Sequence, residues 1–349
     1  MTDDDIKDIT IIGAGPVGLT TAFWAGMREA TCRVVDSLPE IGGQLTTLYP
    51  EKWIFDVPGH PKILARDLVE NLREQAIEQF EVPVHLETTA ESLSYEGEGE
   101  ERVVTLHTDH GPMRSRTIIV SGGHGAFEPK RLPVSDVDMA PWEGRGAHYL
   151  VANKDAFRNK RIVIIGGGDS ALDWVLNLLD TADHITLVHR RDGFRAHETT
   201  VSQVRHAAQG PHVDLRIPYV VKEVSGNGAV EGVVLHHATD GEADTLSLEC
   251  DAVLLQLGFS TKLGPLKEWG FELEKNAIKV SQTMETSLER VWACGDITTF
   301  DGKIKLIATG FGEAAIAVGQ AVHAIRPEMK LQPAYSTNTG VPGSVEGQP

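Results

Sequence analysis

Two short glycine runs combine residue types that can hold a phosphate with residues that can read a sugar beside it. The first is Gly13-Ala14-Gly15-Pro16-Val17-Gly18, followed 23 positions after Gly13 by Asp36. Where a strand turns into a helix, such glycines allow a tight turn and close backbone approach. The helix N-terminus then offers unpaired N–H groups to a pyrophosphate. A carboxylate at the end of the next strand can accept hydrogen bonds from both hydroxyls of an adenosine ribose. The second run, Gly166-Gly167-Gly168-Asp169-Ser170-Ala171, is followed at the same interval by His189, and then by Arg190 and Arg191. An acid at that corner would repel a 2′-phosphate, whereas guanidinium groups can hold one through charge-assisted bonds. Arg195 is near enough in sequence to join them. Against the bland alternative of a solvated basic loop, this pattern predicts an NADPH site over Gly166, Gly168, Asp169, Ser170, His189, Arg190, Arg191 and Arg195.

The elements that must position these residues repeat. Ile9-Thr10-Ile11-Ile12 runs into the first glycine turn and a small, apolar helical stretch, and Cys32-Arg33-Val34-Val35 leads to Asp36. Arg161-Ile162-Val163-Ile164-Ile165 runs into the second turn and the helical stretch ALDWVLNLL, and Ile185-Thr186-Leu187-Val188 leads to His189. Each unit closes with an apolar strand ending in glycine, at 117–123 and 252–258. β-branched runs, glycine turns and helices in this order give βαβ units. A third segment, Val291-Trp292-Ala293-Cys294-Gly295-Asp296, follows the second closure and precedes a helical pattern, so it is expected to return to the first unit. The expected fold is α/β: two Rossmann-like, three-layer dinucleotide-binding domains, the second inserted into the first. The first spans 1–122 and 255–349, the second 123–254.

The rest of the composition narrows the function classes. A net charge of −18 opposes nucleic-acid binding. The acidic run at 96–101 reads as a solvated hairpin loop. No stretch approaches the ~20 apolar residues that cross a bilayer, and the acidic start lacks the basic and apolar parts of a secretory signal; a cytoplasmic protein with no membrane attachment is expected. Cys32, Cys250 and Cys294 make neither a C-x-x-C pair nor a metal cluster, so neither a disulfide framework nor a metal is expected. No Ser/His/Asp set stands out, and His107, His110, His236 and His237 lie among polar residues and read as surface.

At Gly13-Ala14-Gly15-Pro16, Gly42-Gly43-Gln44, Ala293-Cys294-Gly295-Asp296-Ile297 and the run from His189 to Ala196, the chain resembles the flavoprotein pyridine nucleotide-disulfide oxidoreductase superfamily. The last run looks like the NADPH signature of thioredoxin reductases. Those enzymes carry a C-x-x-C pair shortly before the second glycine turn; here residues 149–155 hold no sulfur. Thiol–disulfide exchange by that route is therefore closed. Further segments are similar to the ferredoxin–NADP reductases built on the thioredoxin-reductase plan: Gln44-Leu45-Thr46-Thr47-Leu48-Tyr49-Pro50-Glu51-Lys52, GGGDSALDW at 166–174, Thr283-Met284-Glu285-Thr286 and Ala308-Thr309-Gly310-Phe311-Gly312-Glu313-Ala314.

This resemblance implies FAD as a second cofactor, held by the first domain. Carried over position by position, it implies FAD contacts at Pro16, Asp36, Gln44, Tyr49, Ala90, Phe127, Asp296 and Thr337. Gly13, Gly15, Gly18, Gly43 and Gly295 supply the turns. Tyr49 would stack on one face of the flavin and Tyr335, from the tail, would cover the other; some relatives have His at that tail position. A core aromatic is the plain alternative for Phe127, and an N-cap for Asp296. The implied activity is hydride transfer between NADPH and FAD, then single-electron exchange with ferredoxin or flavodoxin, in a homodimer. No side chain need be catalytic, because the flavin carries the chemistry. An NADPH-dependent quinone or small-acceptor diaphorase and a redox sensor with negligible turnover are the alternatives. Since ferredoxins are usually acidic, docking on a chain of this charge needs a local basic patch, for which Lys52, Lys62 and Arg66, or Lys303 and Lys305, are the candidates.

Overall fold

The computed structural model describes residues 6–123, 125–130, 132, 137–151 and 153–342. In chain order it forms β1 (Lys7–Ile12), α1 (Pro16–Met27), β2 (Cys32–Val35), α2 (Gln44–Leu48), β3 (Trp53–Ile54), β4 (Ile63–Leu64), α3 (Ala65–Arg73), β5 (Val84–His85), β6 (Ala90–Glu96), β7 (Val103–Thr108), β8 (Gly111–Val120) and β9 (Ala126–Pro129). There follow β10 (Ala147–His148), β11 (Arg161–Ile165), α4 (Asp169–Leu178), β12 (His184–Val188), α5 (Glu198–Ala207), β13 (Val213–Arg216), β14 (Tyr219–Ser225), β15 (Gly232–His237), β16 (Gly241–Glu249), β17 (Ala252–Leu255) and β18 (Phe259–Lys262). The chain ends with β19 (Leu273–Glu274), β20 (Ala277–Lys279), β21 (Val291–Ala293), β22 (Thr298–Thr299), α6 (Ile307–Ile325) and α7 (Ser336–Thr339). Two compact units result, Met1–Phe127 with Thr261–Pro349, and Glu128–Ser260. Their boundaries fall inside β9 and β18, a few residues beyond the expected 122/123 and 254/255.

In the first unit β5, β2, β1, β8 and β21 are parallel, and β8 extends into an antiparallel β6–β7–β8 meander. β1 lies between β2 and β8 and is covered on both faces, so residues 8–12 are all buried, the polar Asp8 and Thr10 included. β21 pairs with the last residues of β8, so the late segment rejoins this sheet. The acidic run falls between β6 and β7. α1 packs on α6; Gly18, Ala22, Ala25 and Gly26 are buried along α1, and Gly26 makes room for the Phe80 ring, which a Cβ there would meet at 2.4 Å.

The second unit has three layers, and β11 shows how the sequence builds them. Successive side chains of a strand point to opposite faces. Ile162 and Ile164 therefore join Ala171, Leu172, Val175 and Leu178 of α4, while Val163 and Ile165 join Val221, Val224, Val233 and Leu235 of the antiparallel β14–β15–β16 sheet. The parallel order is β10-β17-β11-β12-β13, which places both glycine-bearing corners at the carboxyl ends of central strands.

Candidate functional site

The turn after β1 closes over backbone. Gly13 has φ +112°, and a Cβ on it would stand 2.6 Å from the Ser121 carbonyl oxygen; one on Gly18 would stand 1.8 Å from the Gly13 carbonyl oxygen. Gly18 thus lets α1 approach its own turn. α1 starts at Pro16 behind Gly15, with no side-chain cap on its first N–H groups. A Cβ at Gly15 meets nothing within 4 Å, so a side chain there would project into the adjoining pocket. Uncapped N–H groups beside open space suit an anionic pyrophosphate. Gly43, at φ +57°, closes the cradle, since a Cβ there would come within 3.1 Å of Gly15 Cα.

Asp36 lines the same pocket. Its Oδ2 accepts from Ala14 N at 2.6 Å and its Oδ1 from Leu38 N at 2.8 Å. A carboxylate has about four lone-pair sites, so acceptor capacity is left over for a ribose hydroxyl. Burial pushes its carboxyl above the ordinary range, with the N–H groups of Ala14, Leu38 and Ser37 pulling it back. Gln44, Tyr49, Ala90, Gly295 and Asp296 complete the predicted residues that this pocket brings together with Gly13, Gly15, Pro16 and Gly43. Burial, Asp296 and Asp56 raise the Tyr49 phenol above its usual value, keeping it neutral.

Gly18, Tyr335 and Thr337 are not part of this lining. Gly18 packs beneath the turn; Tyr335 is 71% exposed and Thr337 lies exposed on α7. Phe127 falls in β9, whose side chains lie outside what the structure describes. Residues the sequence did not single out complete the wall: Thr88 and Thr89 before β6, the 121–123 turn after β8, and Leu263 to Leu266 after β18. Only the two glycines of the 121–123 turn carried a signal.

The second pocket gathers Gly166, Gly168, Asp169, Ser170, His189, Arg190, Arg191 and Arg195, and adds Lys130, Tyr219 and Gln256. Arg190, Arg191 and Arg195 make no ion pair with a carboxylate among the described residues, although acids outnumber bases by 50 to 32 in the chain. His189 packs under the glycine turn. Its ring stacks on Phe194 at 5.5 Å, its Nε2 lies 3.2 Å from the Gly193 carbonyl oxygen, and a Cβ at Gly167 would be 2.2 Å from the ring. Burial lowers its pKa and so favours the neutral imidazole.

All three cysteines are free and buried, and burial pushes each thiol up to about 12. Thiolate chemistry is closed to them. The Cys294–Gly295–Asp296 turn is held from below: Gly295 N donates to Glu313 Oε2 at 2.8 Å, and Lys303 Nζ donates to the same oxygen at 2.6 Å. The Lys303 and Glu313 side chains are 5% and 7% exposed. Lys303 therefore cannot belong to a docking patch, contrary to the sequence expectation, because its charge is spent inside the fold. Val17 fits between Gly295 and Gly310, where a Cβ would stand 3.2 Å and 2.5 Å from its side chain. No metal-holding group of His, Cys, Asp and Glu exists among the described residues.

Two parallel-sheet units, each with a glycine turn and a ligand-sized pocket at the carboxyl ends of its strands, define a two-nucleotide α/β architecture. The family model for pyridine nucleotide-disulphide oxidoreductases matches residues 7–321, and the chain belongs to that family. The ferredoxin–NADP reductase of Thermus thermophilus is 47% identical over 342 residues, covering 97% of this chain and 99% of that one. That of Geobacillus kaustophilus is 44% identical over 337 residues, covering 96% and 98%. Among solved structures, thioredoxin reductase from Lactococcus lactis matches with a TM-score of 0.73 at 23% identity, over 92% of this chain and 99% of that one. The T. acidophilum thioredoxin reductase gives 0.73 at 21%, over 93% and 99%. At those identities the likeness establishes the fold.

Proposed function

We propose that this chain is a ferredoxin–NADP reductase, with FAD in the first unit and NADPH as the nicotinamide substrate of the second. The observation that carries this reading is the contrast between the two corners: a buried acid, Asp36, at one, and three arginines without carboxylate partners at the other. The same chain has no accessible thiol, so electrons have no disulfide route out. When bound, FAD takes hydride from a nicotinamide and delivers electrons singly. Asp36 would orient the adenosine ribose. Gly15 and the start of α1 would hold the pyrophosphate, and Gln44, Tyr49 and Asp296 would border the ring. In the second unit Arg190, Arg191 and Arg195 would hold the 2′-phosphate while Gly166 and Gly168 admit the pyrophosphate.

The relatives' name supports ferredoxin as partner; flavodoxin, which delivers electrons through the same one-electron chemistry, belongs to the same proposal. Three reduced, buried thiols suit a reducing compartment such as the cytoplasm. A homodimer belongs to the same proposal. The test is steady-state NADPH oxidation on one preparation with ferredoxin, flavodoxin, quinone and oxygen as acceptors. Ferredoxin should give the highest kcat/KM. A protein that stays colourless after incubation with FAD, or that reduces quinone faster than ferredoxin, would overturn the assignment.

A further inference from the structure

We propose that Asp169 is a positioning residue for NADPH selectivity, acting on the arginine loop through backbone and not on the nucleotide itself. The inference rests on the NADPH reading above and names the device that makes it selective. Asp169 is the first residue of α4, and its Oδ1 accepts from His197 N at 2.9 Å. Two residues away on each strand of this contact, Arg195 N donates to the Gly167 carbonyl at 2.7 Å, and Gly168 and Arg195 form an isolated parallel bridge. Positions 195 and 197 are thereby clipped to 167 and 169. The other end of the loop is held at His189, whose N donates to the Arg216 carbonyl at 3.1 Å, and the His189 ring braces the loop at Gly193 and Phe194. Arg190, Arg191 and Arg195 hang from a segment fastened at both ends.

Charge makes this placement informative. A carboxylate next to a site for a phosphorylated nucleotide opposes binding, so Asp169 needs a compensating role. An acid in the first turn of a helix interacts favourably with its dipole, but that would leave selectivity between NADPH and NADH untouched. Holding the loop would not. Fixing the backbone beneath three long, flexible side chains lowers the ordering cost of gripping the 2′-phosphate. That group is absent from NADH, so loss of the clip falls on one cofactor only.

The test needs no flavin turnover. Adenosine 2′,5′-bisphosphate and AMP are titrated calorimetrically into the wild type, D169A, D169N and H197P. The asparagine keeps an oxygen that can accept from His197 N. Proline removes the donor at a position whose φ of −59° it can adopt. In D169A and H197P the preference for the bisphosphate should fall roughly tenfold, the scale of one backbone hydrogen bond and the order it imposes. Amide exchange at 195–198 should quicken in D169A, and D169N should keep the wild-type preference. If D169A or H197P keeps the full preference, or D169A gains affinity as simple relief of repulsion would give, the proposal is overturned. A wild type that does not distinguish the two probes overturns the NADPH reading itself.

Discussion

Asp36 shows how burial turns an ordinary carboxylate into a sensor of its ligand. Its pKa lies above the usual value because burial disfavours the charged form, and three backbone N–H groups offset part of that. Ribose hydroxyls donate more strongly to the ionised form, so FAD should bind the deprotonated protein better. The sign follows: affinity should weaken as pH falls through the raised titration range of Asp36 and level off above it. Measured by fluorescence quenching of FAD with apoprotein between about pH 4 and 8, D36N should bind more weakly throughout and lose this titration. Parallel profiles for the two proteins would remove Asp36 from the ribose site. The residue itself was legible because an acid 23 positions after a glycine turn has one geometric meaning in a βαβ unit. His189 and Asp169 were legible only as positions, the first from equal spacing and the second from its place in the glycine run; neither the stacking of His189 on Phe194 nor the bond from His197 N to Asp169 leaves a mark in sequence. Thr88, Leu263 and Lys130 reach the pockets from loops whose nearness depends on strands far apart in the chain.

Among the elements, α6 carries more than its own packing. Its Glu313 reaches across to Gly295 N and is neutralised by Lys303, so the turn bearing Asp296 depends on an ion pair removed from water. Breaking one partner of a buried pair leaves an uncompensated charge, at a cost of about 3–5 kcal/mol. K303M should therefore lower the denaturant midpoint strongly and release FAD. The K303M/E313Q double variant keeps an acceptor for Gly295 N without either charge, and should recover most of that loss. Equal destabilisation by the single and double variants would show that the pair does not act as a unit. The paired glycine turns, the β-branched strands before them and the late strand that rejoins the first sheet could all be read from residue order. The antiparallel β14–β16 sheet was not anticipated, although Asn227-Gly228 and Asp240-Gly241 are the turn signals that mark its hairpins. α6 begins at Ile307, where Thr309 Oγ1 accepts from Leu306 N and closes the first turn.

For the whole molecule, charge sets two opposing requirements. At −18, the chain repels an acidic electron carrier at long range, and this repulsion acts over about 30 Å at 0.01 M salt but only ~8 Å at physiological ionic strength. With Lys303 withdrawn into the fold, attraction at short range falls to Lys52, Lys62 and Arg66, and to the exposed Lys305. Arg66 is already shared with Glu51 at 3.8 Å and Asp67 at 3.4 Å. Lys52 lies 5.9 Å from the Tyr49 ring at the edge of the first pocket, and Lys62 4.6 Å from the ring of exposed Trp53. Ferredoxin-dependent kcat/KM should then rise with the first additions of salt, as distant repulsion is screened, and fall again once contacts within a Debye length weaken. K52A/K62A should keep the rise and lose the fall. If the wild type instead climbs steadily, as that variant would, these lysines take no part in docking, and carrier selection must come from shape and apolar contact alone.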